Sequence, residues 1–278
     1  MPRVAGETIS FFGPAPGLVS HHVQKIAFEF GPLSIHWYGV LVAAGFLGGL
    51  WTASRRCLRD GVSAETILDL GPWIIVGAIV GARGLYVASY WNEDFAGKSW
   101  RNILNLRQGG LVFYGGLIGA SLACIAFTRW KKLPLWKIAD ILAPSISLGQ
   151  AFGRLGCLMT GCCYGRSTNL PWAIHFPSDH TTGGAGVHPT QLYESFLCFG
   201  LSAVLAWLHR RKQFDGQIFS TYLIAYAILR SGVEFFRGDY PNYYGRFATP
   251  AHLVSVGILI AGLALFWHLR MRPLANRV

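Results

Sequence analysis

The chain has 278 residues, of which 52% are hydrophobic and only 13% are charged, and its mean hydropathy is +0.37. This composition excludes an ordinary soluble domain and indicates a polytopic membrane protein. The formal net charge of +11 favours contact with anionic lipid over nucleic acid, because the basic residues flank apolar segments. The stretch before Leu33 lacks the pattern of a secretory signal, so we expect the first apolar segment to direct insertion.

Seven segments have the length and apolar character of membrane spans, each of which needs about 20 mainly apolar residues. They are residues 36–54, 67–91, 109–128, 136–157, 190–208, 217–236 and 250–269. The fourth is the weakest, because it carries Asp140, Pro144 and Gln150. We predict an all-α integral membrane fold of seven transmembrane helices in one domain over residues 1–278, with no internal repeat.

The loops after the first, third and fifth spans and the C-terminal tail are rich in Lys and Arg. Loops of this kind stay in the cytoplasm. The predicted orientation places the N-terminus outside and the C-terminus in the cytoplasm. Residues 1–35 and the polar loop 158–189 then lie on the outer side.

The first span opens with Trp37 and Tyr38, directly after His36. Aromatic residues at this depth commonly form an interfacial belt. The ionisable His36 beside Tyr38 supports an alternative, in which both residues shape a site open to lipid. In the third span, Tyr114 lies in a glycine run that indicates either close helix packing or a phenol available to a ligand.

Residues 149–165 combine five glycines with Arg154. So many glycines weaken a helix interior, and we predict a helix end followed by an interfacial or re-entrant turn. An arginine at membrane depth is costly, by about 2.5–3.5 kcal/mol on insertion scales, and usually serves function. The planar guanidinium group of Arg154 is suited to bidentate binding of a phosphate. The alternative is that Arg154 only anchors the helix at the interface.

Cys157, Cys162 and Cys163 in the same segment suggest a metal or redox site. Their spacing is not a usual zinc spacing, and small thiols also occur in packed membrane turns. A structural metal, or a disulfide from Cys157 to either of the other two cysteines, remains open at this point.

The fifth span is entered through a polar run in which Thr190 is placed to cap the helix. Capping does not explain the other polar residues at this membrane edge, which we take as substrate-binding candidates. They are His188, Gln191, Tyr193 and Glu194.

In the sixth span, Arg230 and Glu234 are four residues apart on one helical face, a spacing that predicts an ion pair. Arg237 follows near the interface. A purely structural pair is possible, but two arginines near Arg154 would leave excess positive charge unless an anion is bound.

Five motifs in this order resemble the prolipoprotein diacylglyceryl transferases, seven-span enzymes of the bacterial inner membrane. They are His36-Trp37-Tyr38-Gly39, Tyr114-Gly115-Gly116-Leu117-Ile118-Gly119, Gly153-Arg154-Leu155-Gly156, His188-Pro189-Thr190-Gln191-Leu192-Tyr193-Glu194 and the run from Arg230 to Arg237. The resemblance extends from His36 to the last span.

The resemblance implies transfer of an sn-1,2-diacylglyceryl group from phosphatidylglycerol to the lipobox cysteine thiol of a preprolipoprotein, with release of glycerol 1-phosphate. It implies no metal, nucleotide or other cofactor and no nucleic-acid partner, and it places the outer loops in the periplasm. Arg154 and Arg230 would bind the phosphate, Glu234 would hold Arg230, Tyr38 would contact the headgroup or substrate, and Arg237 would support the rim.

The chain departs from the family pattern inside the site. Tyr114 stands where many members have a histidine that is a candidate base, and Cys157, Thr160 and Cys162 stand where the usual signature has Asn, Asn and Glu. Thiol activation must therefore come from elsewhere, with Tyr114, Glu234 and His188 as candidates. The competing interpretations are a lipid-binding protein or transporter without catalysis, and a thiol-redox or metal protein.

Overall fold

The computed structural model describes residues 26–30, 33–97, 101–105, 109–238 and 249–271. The helices in these ranges are α1 (Trp37–Arg56), α2 (Ala64–Ser89), α3 (Arg101–Leu104), α4 (Phe113–Trp130), α5 (Leu135–Thr160), α6 (Thr190–His209), α7 (Gln217–Glu234) and α8 (Pro250–Arg270). The strands are β1 (Ile26–Phe30), β2 (Leu33–His36), β3 (Ile174–His175) and β4 (Gly186–Val187), paired as antiparallel β1-β2 and β3-β4. The described part of the chain is thus mostly helical, with two short hairpins that the sequence did not predict.

The chain divides into two compact units. One comprises residues 52–138, and the other comprises the residues up to Trp51 together with those from Ala139 onward. All the ion pairs described below belong to the unit that contains the residues from Ala139 onward.

In the 52–138 unit, α2 and α4 pack so closely that glycines lie at their crossing. A Cβ atom on Gly77 would lie 2.5 Å from the Cβ of Ala123, and one on Gly115 would lie 2.6 Å from the Cβ of Leu85. The predicted role of the glycine run in helix packing is therefore confirmed. Arg83 in α2 donates to the carbonyls of Asn102, Ile103, Gly109 and Gly110 at 2.7–3.1 Å, so this arginine holds the backbone at residues 102–103 and 109–110.

In the other unit, α6 packs on α5 through serine hydroxyls that bond across the helices. Ser147 donates to the carbonyl of Cys198, Ser195 to that of Ala151 and Ser202 to that of Pro144, at 2.7–2.9 Å. Such bonds satisfy polar groups between apolar helices. They fix the register of α5 against α6.

Asp140, which made the fourth predicted span weak, has a structural role. It is fully buried and accepts from the backbone amides of Gly216, Ile218 and Phe219 at 2.8–2.9 Å. Because these are amides at the N-terminus of α7, the carboxylate caps that helix and complements its dipole.

Four helical segments among the described residues are long and apolar enough to cross a membrane: residues 37–60, 64–89, 190–209 and 250–270. Large apolar side chains on them point outward, including Val80 and Ile260, which are 65% and 62% exposed. Water would not favour such surfaces, whereas lipid does. Helices α5 and α7 carry charged residues, Arg154 in α5 and Arg230 and Glu234 in α7, which lower their hydropathy.

The predicted helix end in the 149–165 segment is present, but it lies beyond the first three glycines. Gly149, Gly153 and Gly156 lie inside α5, which continues to Thr160. Packing explains this: a Cβ atom on Gly156 would lie 2.8 Å from the ring of Tyr38. The helix ends at Gly161, whose φ of 75° is left-handed, so the polar connection begins there and not at residue 158.

Candidate active site

The first half of the candidate site is an ion pair between α5 and α6. Arg154 Nη2 lies 2.9 Å from Glu194 Oε1, and the carboxylate is only 3% exposed. The hydroxyl of Tyr226 in α7 donates to the same oxygen at 3.4 Å. Arg154 and Glu194 are far apart in sequence, so the packing of α5 on α6 brings them together.

The second half lies at the end of α7. Arg230 Nη1 is 2.6 Å from Glu234 Oε2, which confirms the predicted ion pair. Glu234 also accepts from the hydroxyl of Thr249 at 2.8 Å, and Arg237 Nε lies 3.9 Å from its Oε2. Glu234 is therefore held from several directions while it orients Arg230.

Tyr226 connects the two halves, because it lies one helical turn before Arg230 on α7 and reaches Glu194 on α6. The connected group contains the arginines at 154, 230 and 237 and the glutamates at 194 and 234. It therefore carries one net positive charge when all five groups are ionised. A partly buried positive cluster of this kind favours an anionic ligand.

A tight turn after α5 brings three thiols together. The sulfur atoms of Cys157, Cys162 and Cys163 all lie within 4.8 Å of one another, and all three cysteines are free. The Cys162 sulfur also lies 3.2 Å from the hydroxyl of Thr160. The convergence is closer than the sequence spacing indicated, and these residues have the ligand type that binds thiophilic metals.

Helix α6 holds this turn by its first residues. Thr190 Oγ1 donates to the carbonyl of Cys163 at 2.6 Å, and Gln191 Nε2 donates to that of Cys162 at 2.7 Å. The prediction that Thr190 caps α6 is thus wrong: its hydroxyl bonds a carbonyl 27 residues earlier in the chain. Gln191 and Glu194 are one turn apart, so a single face of α6 positions both the thiols and Arg154.

The environment of Cys163 favours its thiolate. Hydrogen bonds from the thiols of Cys157 and Cys162 hold the pKa of Cys163 well below its ordinary value, and the charges of Arg237 and Arg154 act in the same direction. Its backbone φ of 64° is left-handed, a conformation that is uncommon for residues other than glycine.

The connection between α5 and α6 forms a compact platform beside the arginines. Gly165 N donates to the carbonyl of His188 at 2.9 Å, and Arg166 N donates to that of Phe236 at 2.8 Å. The rings of His188 and Tyr193 both pack against Phe236, with centroids 5.4 and 6.0 Å away. His188 Nδ1 also lies 3.3 Å from the Tyr193 hydroxyl, so these two predicted residues form one cluster.

The remaining candidates are less closely associated. Tyr38 lies over Gly156 at the end of α5 and is 43% exposed. His36 ends β2, where it pairs with Ile26. Tyr114 is the second residue of α4 in the 52–138 unit and is 61% exposed. Its role stays a prediction.

Three residues of the site were missed from sequence. Tyr226 could have been found from its spacing to Arg230 on one helical face. Thr249 precedes Pro250 and forms a capping box with His252, a recognisable helix start. Trp172, whose Nε1 donates to the Tyr193 hydroxyl at 2.8 Å, had no sequence signal.

Long apolar helices with outward lipophilic side chains, in a chain that also carries a partly buried cluster of arginines and glutamates, define a helical membrane protein. The sequence model of the family described as prolipoprotein diacylglyceryl transferase matches residues 25–268. The chain therefore belongs to the prolipoprotein diacylglyceryl transferase family.

Relatives with the curated name phosphatidylglycerol–prolipoprotein diacylglyceryl transferase match over nearly their full lengths. The protein of Finegoldia magna is 41% identical over 244 residues, covering 87% of this chain and 94% of the relative. That of Trichormus variabilis is 35% identical, covering 96% and 95%. That of Bacillus velezensis is 34% identical, covering 92% and 95%.

Proposed function

We propose that this chain transfers an sn-1,2-diacylglyceryl group from phosphatidylglycerol to the lipobox cysteine thiol of a preprolipoprotein and releases glycerol 1-phosphate. The relatives are named for this donor and for prolipoprotein as the acceptor. The observation that carries the proposal is the connected cluster of Arg154, Arg230 and Arg237, because its net positive charge suits a phosphodiester.

Arg154 and Arg230 bind the phosphate and stabilise the negative charge that develops on the leaving oxygen. Their orientation is set before substrate arrives, since Glu194 and Glu234 fix the two guanidinium groups at 2.9 and 2.6 Å. Arg237 supports the same charge from the rim. Preorganised charges of this kind need little rearrangement during the reaction.

The exposed faces next to this cluster supply contacts for the headgroup and the peptide. The proposed contacts are Tyr38 at the start of α1 and the His188–Tyr193 pair at the start of α6, with His36 nearby in sequence. Gln191 and Glu194 contribute from α6. Gln191 holds the turn that contains Cys157, Cys162 and Cys163, here called the thiol turn, and Glu194 holds Arg154.

The proposed topology has seven spans, formed by α1, α2, α4, α5, α6, α7 and α8, in the bacterial inner membrane. The basic last turns support the orientation with the C-terminus inside, for example Arg55 and Arg56 in α1, Arg129 in α4 and Arg270 in α8. Residues 1–35 and the polar connection between α5 and α6 are then periplasmic parts of one membrane domain.

The test is a reaction in vesicles that contain phosphatidylglycerol, with purified protein and a lipobox peptide, read by mass spectrometry. We expect diacylglyceryl-peptide with phosphatidylglycerol and none with phosphatidylethanolamine vesicles. A peptide with serine at the acceptor position should give no product. If folded protein binds phosphatidylglycerol but forms no diacylglyceryl-peptide, the chain is a lipid-binding protein or transporter and the proposal fails.

A further inference from the structure

The turn that contains Cys157, Cys162 and Cys163 is held in place by hydrogen bonds from α6. Its three sulfur atoms come from the last turn of α5 and from two adjacent residues after it, and they lie within 4.8 Å of one another. The left-handed backbone of Gly161 and Cys163 allows the chain to reverse sharply here. The side chains of Thr190 and Gln191 then fix the two carbonyls of Cys163 and Cys162.

The site needs a group that activates a thiol, and its two buried carboxylates are already engaged. Glu194 and Glu234 are paired with arginines at 2.9 and 2.6 Å. A carboxylate held by arginine is a weak base, because the positive charge favours its ionised form.

We propose that Cys157, Cys162 and Cys163 bind a zinc ion as three thiolates, and that its fourth position takes the thiol of the acceptor peptide. Zinc held by three protein ligands with one open position is the arrangement of catalytic zinc sites. The inference rests on the proposed function, since the acceptor is the thiol of that reaction.

The geometry fits zinc with small adjustments. A Zn–S bond of about 2.3 Å in a tetrahedral site implies sulfur–sulfur separations of about 3.8 Å. The three sulfur atoms lie within 4.8 Å already, so side-chain rotations are sufficient. Thiolates are also the ligand type that zinc accepts readily.

The local charges favour the same assignment. Three thiolates and Zn²⁺ sum to one negative charge, and a bound acceptor thiolate adds another. Arg154 lies one helical turn before Cys157 in α5, and Arg237 pairs through its backbone with Gly165, two residues after Cys163, so both positive side chains belong to this region and offset the negative charge. The zinc site is therefore adjacent to the groups that would bind the donor phosphate.

Coordination to zinc removes the proton from the acceptor thiol at neutral pH, and that proton passes to water. A sulfur lone pair then attacks the sn-3 carbon of the diacylglyceryl group and forms the S–C bond. The C–O bond to phosphate breaks, and its electron pair stays on the oxygen of glycerol 1-phosphate. No electrons are exchanged with another reagent, so the step needs only the two substrates.

The first test measures metal binding independently of activity. Reduced full-length protein in detergent, dialysed against Zn²⁺, should retain about one zinc ion per chain. Cys162→Ser should lower the bound zinc several-fold, whereas Cys124→Ser in α4 should leave it unchanged. Zinc should also protect Cys162 of the wild-type chain from alkylation, a readout that needs no variant. Zinc-free protein with three reduced thiols, or equal zinc in a Cys157, Cys162 and Cys163 triple serine variant, would overturn the proposal.

The second test examines the open position with Co²⁺ in place of zinc. The cobalt–thiolate absorption should increase when a lipobox peptide is added and stay unchanged with the serine peptide. An unchanged spectrum with the cysteine peptide would rule out acceptor coordination. Because neither readout depends on turnover, a chain that binds metal and peptide thiol without making product would refute the transferase assignment and leave the metal site standing.

Discussion

At the scale of single residues, the site depends on two buried carboxylates that each hold an arginine. Glu194 and Glu234 are 3% and 2% exposed. They differ in how many partners they keep if that arginine is removed. Glu194 would keep the Tyr226 hydroxyl at 3.4 Å, whereas Glu234 would keep Thr249 at 2.8 Å and Arg237 at 3.9 Å. The two arginines should therefore have separable effects on stability and on activity.

Arg154→Ala should destabilise the protein by about 3 kcal/mol, because it leaves a buried carboxylate without its charged partner. Turnover should fall at least about 100-fold, since a charge that stabilises the leaving group is lost. Thermal unfolding in detergent and the peptide assay measure the two effects. The double variant Arg154→Met with Glu194→Leu should regain most of the stability and none of the activity; recovered activity would exclude Arg154 from phosphate binding.

Arg230→Ala should abolish activity and destabilise the protein less than Arg154→Ala does, because Glu234 keeps two partners. Membrane insertion should be unaffected, since the change makes the α7 span more apolar. Arg230→Lys keeps the charge but not the bidentate fork, so we expect partial activity. Turnover at the wild-type rate in Arg230→Ala would remove the phosphate-binding role.

At the scale of helices, close approach has a different purpose in each unit. In the 52–138 unit, the glycines of α2 and α4 allow the two backbones to touch. In the other unit, Gly156 admits the ring of Tyr38 against the end of α5, beside Cys157. Glycine in α5 thus serves the geometry of the site, and packing with α1 offsets its low helix propensity.

A matched pair of glycines in α4 tests the packing. Gly119→Ala should destabilise the protein by about 1–3 kcal/mol, because its Cβ would lie 2.9 Å from the Cα of Gly81. Gly116→Ala should have little effect, since its Cβ would meet Ala78 and Ala82 at an ordinary 3.5 and 3.6 Å. Thermal unfolding of the two variants checks this, and equal stabilities would contradict the observed crossing of α2 and α4.

At the scale of the whole molecule, the proposed orientation puts the arginine cluster and the thiol turn toward the periplasm. The opposite ends of the helices carry the basic side chains. Green fluorescent protein fused after Val278 should fluoresce and alkaline phosphatase fused there should be inactive, because the proposed orientation places the C-terminus in the cytoplasm. The reverse pattern would contradict the orientation.

Hydropathy and helical spacing were sufficient to predict the positions of the long helices and the Arg230–Glu234 pair, because both signals are local. The Arg154–Glu194 pair and the thiol cluster could not be predicted in the same way. They form only when α5 and α6 pack, and sequence spacing gives no information on that contact. Thr190 shows the same limit. A local rule predicted that it caps α6, but its hydroxyl donates instead to the carbonyl of Cys163, 27 residues earlier in the chain.

The most direct test of the account is to quantify both products of one reaction with phosphatidylglycerol and a lipobox peptide. We expect equal amounts of diacylglyceryl-peptide and glycerol 1-phosphate, because the proposed transfer breaks the C–O bond on the diacylglyceryl side of the phosphate. Arg154→Ala should lower both products together. Diacylglycerol without lipidated peptide would mean that water and not the peptide thiol accepts the lipid group, and phosphatidic acid would mean that a different bond is cleaved; either result would contradict the proposed transfer.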